Sequence, residues 1–109
     1  MKSRIAFGNE SVEAAFYALE SSKTEEKELY KQLVKAFEKI EKDAFSGRQI
    51  PKKQIPGFYY ERYNVENLWK YNLPKAWRLI YTIKQEEIEV VSIILEWLSH
   101  KEYERKFRY

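Results

Sequence analysis

In the first half of this 109-residue chain the apolar residues recur at helical spacing, and in the second half they alternate. Arg4-Ile5-Ala6-Phe7 is a short apolar run, which predicts an opening strand closed by Gly8. Val12, Ala15, Phe16 and Leu19 then fall on one helical face, with Asn9 or Ser11 placed to cap it. Ser22-Lys23-Thr24 interrupts that pattern. A longer helix is predicted from about Glu25 to Ala44, with Leu29, Leu33, Ala36, Phe37 and Ile40 as its apolar stripe. Gly47 ends it, and Pro51 and Pro56 predict an irregular stretch beyond.

From Phe58 onward the period moves toward two. Leu68, Trp69 and Tyr71 mark a strand within Glu66 to Asn72, which Pro74 separates from the β-branched and aromatic run Trp77 to Ile83. Alternation puts Trp77, Leu79, Tyr81 and Ile83 on one face of that run, and Arg78, Ile80 and Thr82 on the other. Lys84-Gln85-Glu86-Glu87 turns the chain into Ile88 to Trp97, which is apolar on both faces and reads as a central strand. Ser99-His100 opens a terminal helix, Lys101 to Phe107. The pattern predicts an α+β fold in one domain, residues 1–109. It has a small four-stranded, mostly antiparallel sheet, two N-terminal helices packed on one face and a short C-terminal helix.

Composition then narrows the chemistry. Hydrophobic residues make up 44% and charged residues 34%, a profile that supports one packed core without staples. Cysteine is absent, which removes disulfides, thiolate metal sites and thiol nucleophiles, and suits a reducing cytoplasm. No apolar run approaches the roughly 20 residues of a membrane span, and no apolar leader precedes a small-residue cleavage site, so a cytoplasmic protein is expected. The three glycines form no phosphate-cradling cluster, which sets aside the nucleotide-binding loops. The net charge is only +3, but the excess is local: Arg48, Lys52, Lys53 and Arg62 face Glu61 alone, and Lys101, Arg105, Lys106 and Arg108 crowd the tail. A polyanion would feel those two regions. The lysines at positions 23, 27, 31, 35 and 39, with Lys42, are balanced by six acids from Glu25 to Asp43 and read as a wet helix face, with a docking surface for RNA or a ribosome as the other reading.

The single histidine, His100, rules out a nuclease built on two histidines, and with no cysteine it leaves no zinc site of the His/Cys type. Asp43 is the only aspartate, which leaves little for a two-metal nuclease or a Ser-His-Asp hydrolase. Metal-free chemistry by Arg, Lys, His and Tyr survives, and no cofactor is expected. Arg78 projects from an apolar strand, His100 follows the central strand, and Tyr103 lies three residues on, near one helix face. These three can form one site. Each also has a purely structural reading: His100 as a helix cap, Tyr103 packed on the sheet, Arg78 paired with Glu96.

The order of elements, the segment Trp77-Arg78-Leu79-Ile80-Tyr81-Thr82-Ile83 and the sequence His100-Lys101-Glu102-Tyr103 after Val90 to Leu95 resemble the RelE/ParE superfamily of type II toxin–antitoxin toxins. Phe45-Ser46-Gly47 and Asn67 to Leu73 fall where that family ends its second helix and begins its second strand. The resemblance implies a metal-independent endoribonuclease that cuts messenger RNA, often on the ribosome, and is held inactive by a cognate antitoxin. By the same resemblance Arg78 would stabilise the scissile phosphate, with His100 and Tyr103 in proton transfer or RNA contact. Arg78 suits its role because it stays charged and grips two phosphate oxygens at once, and an imidazole titrates near neutrality. Arg48, Lys52, Lys53 and Arg108 are candidate RNA-backbone contacts, and Tyr59, Tyr60 and Tyr63 candidate stacking platforms. Another branch of the superfamily inhibits DNA gyrase without catalysis, and a binding module of this kind is the rival reading.

Overall fold

The computed structural model describes residues 1–108. Its chain order is β1 (Arg4–Phe7), α1 (Glu10–Glu20), α2 (Thr24–Lys42), β2 (Arg48–Gln49), α3 (Gly57–Tyr63), β3 (Trp69–Asn72), β4 (Arg78–Gln85), β5 (Val90–Leu98) and α4 (His100–Lys106). The fold is α+β as the pattern predicts, but the sheet has five strands rather than four, in the order β1-β5-β4-β3-β2. β1 runs parallel to β5 and every other pair is antiparallel.

The two N-terminal helices form because their apolar residues keep helical spacing. The Asn9 side chain accepts from the Val12 N–H at 2.9 Å, which caps α1. Together α1 and α2 lay Phe16, Leu29, Leu33, Phe37 and Ile40 against Leu79, Tyr81 and Ile94 of the sheet. The opposite sheet face carries Leu68, Ile80, Leu95 and Leu98 and is covered by Ile50, Ile55, Tyr59 and Phe107. Both faces of β4 and β5 are therefore dry, as their apolar composition requires.

Several expectations are corrected. The stretch after Pro56 is the helix α3, not the start of a strand: Tyr59 and Tyr63 stand four residues apart and stack at 6.3 Å, and Asn64 ends the helix at φ 52. Aromatic residues favour strands, but burial of one tyrosine stripe outweighs that weak preference here. Ile88 lies in the hairpin turn at 95% exposure, so β5 begins two residues later than its apolar character implies. β3 begins at Trp69 because the side chain of Asn67 takes over the ladder. Its Nδ2 donates to the Ile83 carbonyl at 2.8 Å, and its Oδ1 accepts from the Ile83 N–H at 2.9 Å. In the β4–β5 pair, Tyr81 opposes Ile94 while Ile80 opposes Glu96, which leaves Leu95 as an extra residue in a bulge. As a result Leu95 and Glu96 both emerge on the α3–α4 face.

Tyr81 ties the irregular segment after α2 to the sheet. Its hydroxyl donates to the Ala44 carbonyl at 2.7 Å and accepts from the Gly47 N–H at 3.1 Å. Gly47 passes so close that a Cβ would stand 2.5 Å from the Lys70 carbonyl oxygen, so only glycine fits. Burial pushes the Tyr81 phenol up to about 12. Its folded-state pKa is raised, so its stabilisation is complete below pH ~10, where the unfolded phenol titrates, and is lost as pH rises toward 12. Tyr81→Phe is expected to cost about 1–3 kcal/mol at neutral pH through two unpaired backbone groups. In urea melts repeated across alkaline pH, the variant should lose less stability than the parent between pH 10 and 12.

Candidate anion site on the open end of the sheet

Register places the charged residues of the sheet with little freedom. Arg48 pairs with Lys70, Lys70 with Ile80, and Ile80 with Glu96, so these four form one row across β2, β3, β4 and β5. Asn72, Arg78 and Leu98 form the next row. Paired residues project from the same face, here the face that α3 and α4 cover. Arg78 is set at the start of β4 by a tight turn in which Lys75 and Ala76 both take left-handed backbone, φ 60 and 63. The turn is closed by the Leu73 N–H, which donates to the Trp77 carbonyl at 2.9 Å. Neither residue is glycine, so the conformation carries strain that its surroundings must offset.

The second half of the site comes from α4. Ser99 caps it with a full capping box: its hydroxyl accepts from the Glu102 N–H while the Glu102 carboxylate accepts from the Ser99 N–H. Phe107 is buried and anchors the far end. Tyr103 stacks on Phe107 at 4.6 Å and lies over the sheet.

Lys70, Arg78 and Tyr103 meet there. The Lys70 ammonium donates to the Tyr103 hydroxyl oxygen at 2.9 Å and stands 5.0 Å from the ring centroid. The Arg78 guanidinium lies 5.3 Å from the same centroid. All three side chains are half-buried. The Arg78 Nε is buried without a hydrogen-bond partner, and one terminal nitrogen donates to the Trp77 carbonyl at 3.4 Å. Among the described residues no carboxylate pairs with either cation. Cation–π attraction to one ring stabilises each by about 0.5–1 kcal/mol, far less than a carboxylate or phosphate held in two-pronged contact would. The arrangement leaves two cations beside one ring without a counter-charge, which makes it a candidate site for an anion.

The structure thus brings Arg78 and Tyr103 together, as the sequence suggests, and adds Lys70. It does not bring His100 to them. The His100 Nε2 faces Glu104 at 3.0 Å, and the ring lines a separate surface hollow with Lys101, Glu104, Arg105 and Arg108. His100 is the first residue of α4 and Ser99 is its cap, so the expectation that the histidine itself caps the helix is also corrected. Nor does Arg78 pair with Glu96, whose carboxylate accepts from the Tyr59 hydroxyl at 2.5 Å and holds the Lys106 ammonium at 3.1 Å. Arg48 is exposed on the edge strand beside Lys70, while Lys52 and Lys53 stand exposed on the short turn that follows. Of the tyrosines expected to stack bases, Tyr59 is wholly buried and Tyr63 half-buried; Tyr60 remains exposed, at 38%.

Lys70 was not singled out in the sequence, although alternation carried the signal: Leu68, Lys70 and Asn72 share a face, and a hairpin to β4 puts that face beside Arg78. A larger hollow of about 440 Å³ lies between Leu19, Leu29, Trp77 and Trp97 on the other side of the sheet, rimmed by glutamates and Lys75. Among the described residues no three His, Asp or Glu side chains converge as a metal site would need, and no helix is long and apolar enough to cross a membrane. No protein-family model, curated protein or solved structure matches the chain.

A half-buried guanidinium with an orphaned Nε costs stability unless something binds it. Arg78→Met is therefore expected to leave unfolding free energy within about 1 kcal/mol of the parent, or to raise it. Denaturant melts check this, and a large loss would make Arg78 a structural residue.

Proposed function

We propose that this chain is the toxin of a type II toxin–antitoxin pair, an endoribonuclease of the RelE-like kind that cleaves messenger RNA without a metal ion. The sequence resemblance supports the class. The observation that carries the chemistry is the placement of Lys70 and Arg78 around one phenol with no carboxylate on either.

The reaction is attack of a ribose 2′-hydroxyl on the adjacent phosphorus, which expels the 5′-oxygen of the next nucleotide and leaves a cyclic phosphate. Negative charge accumulates on the non-bridging oxygens, and Arg78 and Lys70 meet it with fixed positive charge that needs no reorganisation. Tyr103 receives a hydrogen bond from Lys70 on its oxygen, so its own O–H remains free to protonate the departing 5′-oxygen. The 2′ proton passes to water at the open rim. Arg48, Lys52 and Lys53 extend the positive surface along the edge of the sheet and hold the backbone on one side, while Arg108, Lys101 and Arg105 hold it on the other. His100 belongs to that second group and contacts RNA without moving a proton. The ribosome presents the message, and an antitoxin segment laid over the same face blocks it.

One observation favours a second reading. With His100 turned to Glu104, the site lacks an imidazole, which suits a binding toxin of the gyrase-inhibiting kind.

Primer extension on a translated message, with and without ribosomes, separates the two. Wild-type protein should generate new 5′ ends, Arg78→Ala or Lys70→Met should reduce them about 10²–10³-fold, and His100→Ala should stay within about threefold. No new ends, together with growth arrest that survives Arg78→Ala, supports the binding toxin instead.

A further inference from the structure

The positive site sits beside an acid that does not join it. Glu96 is the one carboxylate in the two rows that hold Arg48, Lys70, Asn72 and Arg78. It opposes Ile80 and lies one diagonal step from Arg78, a separation of about 7–8 Å between backbones, which both side chains can span. Only the bulge at Leu95 puts it there; with regular alternation Glu96 would point at the α1–α2 core. Left alone, a half-buried carboxylate and a half-buried guanidinium at this separation would pair, and the pair would exclude a phosphate from Arg78.

Two side chains prevent that. The Tyr59 hydroxyl donates to one Glu96 oxygen, and the Lys106 ammonium contacts both oxygens at 3.1 Å. Tyr59 is fully buried and cannot follow the carboxylate if it swings. Lys106 is itself held over the Phe58 ring at 4.2 Å, on the side of α3 rather than of Arg78. The two restraints come from different helices, one from α3 and one from α4, and both draw Glu96 toward the helices.

We propose that Tyr59 and Lys106 are positioning residues that sequester the Glu96 carboxylate and so keep Arg78 open to the RNA phosphate. The proposal rests on the reading of Lys70, Arg78 and Tyr103 as an RNA site. It accounts for why an acid stands next to the candidate anion site, and why a lysine and a buried phenol both bind it while Arg78 has no carboxylate partner among the described residues.

The test uses the full chain with Tyr59→Phe and Lys106→Met combined, read in two ways. One is affinity for a short RNA hexamer carrying 2′-deoxy sugars, which binds without being cut. The other is the NMR signal of the Arg78 Nε–H, assigned from its loss in Arg78→Lys. Releasing Glu96 should weaken the hexamer at least tenfold and shift the Nε–H signal. Adding Glu96→Gln should restore both, and Lys106→Arg in place of methionine should behave as the parent. Should the double variant not fold, Lys106→Met alone, at a partly exposed position, is read in the same way with a smaller loss. A purely structural role for the trio predicts that Glu96→Gln makes matters worse, and that outcome, or an Nε–H signal unmoved by release, overturns the proposal. If the parent binds no hexamer the RNA reading fails, while the Nε–H signal still reports whether Glu96 reaches Arg78.

Discussion

The pairing of β4 with β5 is the constraint from which the rest of the molecule follows. It is the longest ladder in the sheet, eight residues of β4 against nine of β5, and the middle of both strands is buried on both faces. Because successive side chains alternate, fixing this register assigns each neighbouring residue to one of two chemical environments. The α1–α2 side receives Leu79, Tyr81, Ile94 and Trp97 and is a plain apolar core. The α3–α4 side receives Ile80 and Leu98 together with Arg78 and Glu96. One bulged residue, Leu95, decides that the acid and the base share a face.

Charge on an apolar sheet is costly, and the protein handles Arg78 and Glu96 differently. Glu96 is fully paired, with a phenol and an ammonium on its oxygens. Arg78 is not: it has aromatic contact, one long hydrogen bond and an orphaned Nε. A fold selected for stability alone would pair the two with each other. The function proposed above accounts for the imbalance, since a group that must meet a ligand's charge cannot spend its own on the scaffold. The strained turn at Lys75 and Ala76, immediately before Arg78, belongs to the same pattern.

Most of the architecture was legible in the chain, and the failures have physical causes. α1 and α2 showed themselves because their apolar stripes are long and their ends carry breakers. β4 was legible to its faces, which is why Arg78 stood out. α3 was hidden because its tyrosines and phenylalanine favour strands, and only Tyr59, buried with Leu95 and Leu98 of β5, shows why the segment folds back as a helix. β2 is two residues long and has no periodicity to detect. The bulge at Leu95 leaves no mark in composition, so the orientation of Glu96 could not be derived. Lys70 was recoverable by parity but sat among aromatic residues that drew attention to packing. His100 was misplaced for a simpler reason: neighbours along a helix do not share a site when one of them finds an ion-pair partner, Glu104, on its own helix.

The parallel seam between β1 and β5 has a consequence for the order in which the protein takes shape. Arg4 registers with Val91 and Phe7 with Ile94, so the first strand has nothing to pair with until residues 91–94 have been made. α1 and α2 can collapse on each other well before that, but the sheet, and with it the junction of Lys70, Arg78 and Tyr103, closes only when the residues around 91–94 arrive. During synthesis the molecule therefore passes through a long interval in which its two N-terminal helices can pack while its sheet stays open at the β1 edge.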